Sequence, residues 1–149
     1  MLTARTLIER LDLRADLVTL SACTSGLSYV VPGDELLGLQ RAFLYAGVPA
    51  VVCTLWEAND LAALLVMEHF CKALCQGQPA AAALRDAQVT VREMTGRDVA
   101  AAFDRWRMEY LQGTAEAPEL PAIPPQQADA RVFGDPFFWA PFMLIGRPY

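Results

Sequence analysis

The sequence predicts an α/β domain whose mostly parallel sheet is flanked by helices. Two short runs, residues 16–22 and 48–54, are largely apolar and carry β-branched residues, as strands covered on both faces do. A helix-period segment, residues 34–46, lies between them. Strand, helix and strand in that order make the unit of a parallel sheet. At 149 residues the chain suits one domain with one core, so residues 1–149 are read as a single unit.

Taken in order, residues 3–11 read as a short amphipathic helix, with Thr3 as cap and Leu7, Ile8 and Leu11 on one face. The strand over 16–22 ends at Cys23-Thr-Ser-Gly26, and Pro32 and Gly33 close the loop that follows. Asp34 suits the cap of the next helix, and Gly47 suits its terminating position. After the second strand, residues 55–60 form another loop. Asn59 or Asp60 caps a long helix to about Gln76, stopped by Gly77. Pro79 opens a helix to about Met94, with Ala83, Leu84, Ala87 and Val91 as its inner stripe. Asp98 is the expected cap of a helix reaching Leu111. Residues 113–130 hold Pro118, Pro121, Pro124 and Pro125 and read as a linker or surface loop, with order resuming at Phe133. Residues 134–136 form a turn, 137–139 close the core, and a last strand covers 141–145, with Pro141 at its start or on an edge.

Composition excludes several classes. With 54 % hydrophobic and 19 % charged residues, the chain is too apolar to be disordered. A net charge of -5 with scattered arginines lacks the basic stripe that nucleic acid demands. No apolar run approaches the ~20 residues of a membrane span, and Arg5, Glu9, Arg10 and Asp12 interrupt any signal-peptide core. Four cysteines without regular spacing do not make a secreted disulfide framework, which points to the cytoplasm.

Sites of open α/β sheets form beyond the carboxyl ends of strands. That rule selects the loop starting at Cys23 and the loop holding Trp56. Cys23 stands where a strand ends among small neighbours (Ala22, Thr24, Ser25, Gly26), which leave room for a substrate backbone. The Cys23 backbone N–H, at such a strand end, can face a developing oxyanion. Position alone leaves two readings, a nucleophile and a buried structural cysteine.

The run Leu17-Val-Thr-Leu-Ser-Ala-Cys-Thr-Ser-Gly26 resembles the nucleophile motif of CHAT domains, caspase-like peptidases often attached to TPR repeats. Four further blocks resemble that family in order. They are Gly33-Asp-Glu-Leu-Leu-Gly-Leu-Gln-Arg-Ala-Phe-Leu-Tyr-Ala-Gly47, Val51-Val-Cys-Thr-Leu-Trp56 with Asn59-Asp60, Ala83-Leu-Arg-Asp-Ala-Gln88, and Asp135-Pro-Phe-Phe-Trp-Ala-Pro-Phe142. The resemblance implies a caspase–hemoglobinase-like fold lacking its first strands, and a Cys–His dyad with Cys23 as nucleophile. The family's histidine lies upstream in a His-Gly motif, a place that falls just before Met1. What the resemblance implies is thus the carboxyl-terminal portion of a CHAT domain, its histidine supplied from outside the chain.

His69, the single histidine, falls in mid-helix about three turns past the Asn59-Asp60 cap, a poor place for a base that must come within ~3 Å of its nucleophile. Asp34 reads first as a helix cap. Its functional reading, by analogy with related peptidases, is an acid that selects a basic P1 residue, with Glu57 and Asp60 as rivals. Trp56 fits either the lining of a substrate cleft or a core plug. Cys71 and Cys75 share a helix face, and core packing explains them better than a metal, which wants four ligands in separated pairs. Cys53 reads as buried and inert.

The expected function is cysteine endopeptidase chemistry on a polypeptide, with no metal or organic cofactor. An upstream segment or TPR repeats are the expected partners. Two other classes stay open. One is a catalytically inactive CHAT-like interaction or scaffold module. The other is a flavodoxin-like phosphate or nucleotide binder using residues 24–26 and the helix at Asp34. It is weakened by the lack of any phosphate-loop motif and by a carboxylate where an anion would dock.

Overall fold

The computed structural model describes residues 13–20, 34–110 and 128–147. The helix expected over 3–11 and the proline-rich stretch up to residue 127 lie outside them. The described elements run β1 (Leu17–Leu20), α1 (Asp34–Tyr45), β2 (Ala50–Thr54), α2 (Asp60–Cys75), α3 (Ala80–Glu93), α4 (Gly96–Tyr110), α5 (Pro136–Trp139) and β3 (Phe142–Gly146).

The described strands form one sheet in the order β1-β2-β3. β1 pairs with β2 in parallel, Leu17 opposite Ala50 and Leu20 opposite Cys53. β3 pairs with β2 antiparallel, Thr54 opposite Phe142 and Ala50 opposite Gly146. This sheet is therefore mixed, and the expected parallel pairing stops at β2. The cause is the route into β3. Leu55 N–H donates to the Pro141 carbonyl at 2.8 Å, so the chain enters β3 at the carboxyl end of β2 and must run back along it. Pro141 precedes the strand, where its missing N–H costs no ladder bond.

All five residues of β2 are buried. Alternation along the strand sends Val51 to one face and Val52 to the other. Val51 packs with Ala42, Phe43 and Val48 beneath α1. Val52 joins a larger core with Ala62, Leu65, Val66 and Phe70 of α2, the α3 stripe, Phe133 and Phe142. The sheet is thus sandwiched by helices, and each fully buried valine contributes roughly 1.5–3 kcal/mol.

Helix ends follow sequence chemistry, with two corrections. Gly47 takes φ +92°, and its N–H and that of Val48 satisfy the Leu44 and Phe43 carbonyls at the end of α1. Asn59 caps α2, its Oδ1 accepting from Ala62 N–H at 3.1 Å. Pro79 stands one position before α3, with extended backbone, and not in its first turn. At α4 the cap is Thr95, and Asp98 sits three residues on. Asp98 Oδ2 accepts from the Thr95 N–H at 2.8 Å, and Asp98 N–H faces Thr95 Oγ1 at 3.4 Å. That reciprocal arrangement satisfies two end groups at once. The Gly96 and Arg97 N–H groups at the start of α4 donate to the carbonyls of Ala130 and Ala128. No helix among the described residues is long and apolar enough to cross a membrane.

Candidate functional site at the carboxyl edge of the sheet

The register that sets Leu20 opposite Cys53 brings the carboxyl ends of β1 and β2 to one edge of the sheet. The loop after β2 leaves from that edge. Cys23 follows Leu20 by three residues, and it and its backbone N–H lie outside the described residues. Asp34 is the first residue of α1, and its side chain lies outside them too.

Trp56 does not plug the core. The residue is 38 % exposed, and its indole N–H donates to the Phe137 carbonyl at 3.0 Å. Leu55 beside it is 57 % exposed, and Phe137 is 53 % exposed. Glu57 and Asp60 are also exposed, Asp60 in the first turn of α2, where a carboxylate complements the helix dipole. The loop after β2 and the first turn of α2 therefore expose Leu55, Trp56, Glu57 and Asp60, and the indole bond brings Phe137 to Trp56.

Phe137 departs from the expectation that residues 137–139 close the core. Asp135 caps α5 through its carboxylate, which accepts from Phe137 N–H at 2.8 Å, and Pro136 starts the turn. Consecutive residues of a helix point ~100° apart, so 137 and 138 face different directions in this single turn. Phe138 packs toward Phe133, ring centroids 5.4 Å apart, while Phe137 faces solvent. The Asp-Pro start of a helical turn was the available signal in the sequence.

His69 lies in α2, nine residues past Asp60 and so ~14 Å along the axis from that helix start. It is half-buried in a groove with Thr90, Glu93, Met94, Asp98 and Arg105, between α2, α3 and α4. Burial pushes its pKa below the ordinary histidine value. Glu68 opposes that shift, and Lys72 and Arg105 add to it. This groove belongs to the helical layer, not to the β1–β2 edge.

Cys53 is buried in β2, its Sγ 3.9 Å from the Met143 carbonyl, and burial pushes its thiol pKa up. Cys71 and Cys75 are free and exposed, which corrects the expectation that they pack in the core. They lie on the solvent side of α2, away from Leu65, Val66 and Phe70. Among the described residues no group of three or more His, Cys, Asp or Glu side chains is placed to hold a metal.

A family model described as the CHAT domain matches residues 1–147. No curated protein and no solved structure matches the chain.

Proposed function

The chain belongs to the CHAT domain family, a caspase-like, peptidase-related family, and from that membership we propose that it carries the nucleophile half of a cysteine endopeptidase. Cys23 is the nucleophile. The observation that supports this most is the parallel β1–β2 register, which puts the end of β1 beside the exposed Trp56 loop. Three residues of chain span at most ~11 Å, so Cys23 stays within reach of that edge.

The chemistry follows from the thiol. A histidine takes the proton from Cys23 Sγ as the sulfur attacks the substrate carbonyl carbon. The Cys23 backbone N–H stabilises the oxyanion. Collapse breaks the C–N bond, and the histidine returns the proton to the departing amine. Water then hydrolyses the thioester, with the histidine as base, and frees the thiol. The histidine comes from outside these residues, because His69 sits in the helical groove. Trp56, Glu57, Asp60 and Asp34 are the proposed substrate contacts. An upstream segment and TPR repeats are the proposed partners, and the cytoplasm the proposed location.

Peptidase turnover, with and without an added upstream segment carrying a His-Gly motif, tests this. We expect none from the chain alone, cleavage with the segment, and loss of cleavage in Cys23→Ala. Robust turnover by the chain alone, abolished by His69→Ala, overturns the proposed base. The position of His69 also favours a second reading, a catalytically silent interaction module. Cleavage that never appears with the segment present, while a partner still binds, selects it.

A further inference from the structure

We propose that Leu55, Trp56 and Phe137 form a shelf that receives a bulky apolar side chain of the substrate polypeptide, beside a basic residue of the same segment. The proposal rests on the reading of Cys23 as nucleophile and names the substrate class for that site. Three observations carry it.

The first is exposure. Leu55, Trp56 and Phe137 leave 57 %, 38 % and 53 % of their surface open, although they come from segments 81 residues apart. Scattered single apolar residues are ordinary on a surface, but here the indole–carbonyl bond brings Trp56, with Leu55 next to it in sequence, to Phe137.

The second is construction. Trp56 N–H to the Phe137 carbonyl, Leu55 N–H to the Pro141 carbonyl, and Phe137 N–H to the Asp135 carboxylate hold the loop and α5 in fixed relation. Phe137 also stands edge-on to Phe138, centroids 5.6 Å apart, and Phe138 is anchored on Phe133. A shelf held by backbone bonds meets a ligand without first being ordered.

The third is charge. The loop after β2 contributes Glu57 and the start of α5 contributes Asp135, both exposed, while the nearby Arg92 guanidinium lies over the Trp139 ring and is paired with Glu93. An extended peptide with a basic residue next to its apolar one matches both features. Its place is set by the sheet, because β1 ends at this same edge three residues before Cys23.

Fluorescence anisotropy of labelled Gly-Ser-Arg-X-Gly-Ser peptides against the Cys23→Ser chain tests the shelf without requiring turnover. Burying a leucine or phenylalanine side chain is worth roughly tenfold or more in affinity. We expect peptides with X as Leu or Phe to bind about tenfold tighter than X as Ala. Replacing the peptide's Arg by Glu weakens them. Leu55→Ser and Phe137→Ser shrink the preference to within about twofold, with unchanged circular dichroism, since both side chains are more than half exposed. Equal binding of the Leu and Ala peptides, no measurable binding, or a preference that survives both variants overturns the shelf. So does a dimer in light scattering that Phe137→Ser disperses, which assigns the patch to a second copy. A chloromethyl ketone of the preferred sequence that never alkylates Cys23 with the histidine-bearing segment added, while the Leu preference persists, overturns the peptidase reading and leaves the shelf standing.

Discussion

The indole N–H of Trp56 donates to the carbonyl of Phe137 at 3.0 Å, tying the loop after β2 to α5 across 81 residues of sequence. The bond is partly solvated, so its net worth lies near the low end of the usual range of about 0.5–1.5 kcal/mol. Trp56→Phe keeps most of the ring and removes the donor. We expect it to lower the unfolding free energy measured in urea by that small amount, and Trp56→Ala to lower it further. Identical midpoints for all three proteins would show that the bond holds nothing.

Gln88 on α3 carries a larger share of the same junction. Its Nε2 donates to the Trp139 carbonyl at 3.1 Å and to the Phe142 carbonyl at 2.9 Å, at the turn from α5 into β3. Gln88→Leu leaves two partly buried carbonyls without that donor, a loss of about 1–3 kcal/mol. Equilibrium urea unfolding measures it. Stability equal to the parent chain would mean that water replaces the amide at no cost.

Much of the frame was legible because it rests on local chemistry. The apolar run of β2, the Asn59 cap, the Gly47 and Gly77 stops and the α3 stripe each depend on residues within a few positions of one another. What was not legible depends on distant partners. Nothing near Phe142 says that β3 runs antiparallel to β2, since that follows from the Leu55–Pro141 bond. Nothing near Cys71 or Cys75 separates a small core residue from a surface thiol, since the helix face they share is defined by what packs on the opposite one. The apolar shelf was half visible. Trp56 was singled out by its place at a strand end, and Phe137 was hidden inside an aromatic run.

The four thiols should separate by rate. Cys53 is fully buried with its pKa pushed up by burial, and both features suppress the reactive thiolate. Under brief iodoacetamide treatment at neutral pH, mass mapping should find Cys53 last. Exposed Cys71 and Cys75 should label at intermediate rates, and the proposed nucleophile Cys23 first. Cys53 labelling ahead of Cys71 would contradict its burial. Cys75 ahead of Cys23 would argue against an activated thiol at the sheet edge.

His69 gives the stability a pH dependence of defined sign. Burial holds its folded pKa below the ordinary value of 6.5, so protons bind the unfolded chain more readily. Its contribution is complete above about pH 6.5, falls as pH drops below that, and levels off beneath the folded pKa. Urea unfolding between pH 7.5 and pH 5 should show this decline, and His69→Gln should flatten it. Glu68, Lys72 and Arg105 act on the same group, so the contrast between the two proteins carries the test. A decline that is undiminished in His69→Gln would assign it to other groups.

Gly146 ends β3 under two constraints. Its φ of +112° lies where side chains are strained, and a Cβ built there would lie inside contact distance of the Pro49 carbonyl oxygen and 3.0 Å from Ala50 Cα. Both neighbours are backbone at the start of β2, and Arg147 N–H donates to the same Pro49 carbonyl at 2.9 Å. The clash therefore has no flexible side chain to absorb it. Strained backbone alone costs roughly 1–3 kcal/mol, and displacing Pro49 adds the lost pairing of β3. Gly134 supplies the control, because a Cβ there meets only Arg131 Cβ at 3.5 Å and the Arg131 carbonyl oxygen at 3.8 Å, ordinary contact. Gly146→Ala should lose at least about 2 kcal/mol in urea unfolding, and Gly134→Ala should stay within about 0.5 kcal/mol of the parent chain. Equal stability of the two variants would place the end of β3 away from Pro49 and undo the antiparallel register that carries Phe142 to Thr54.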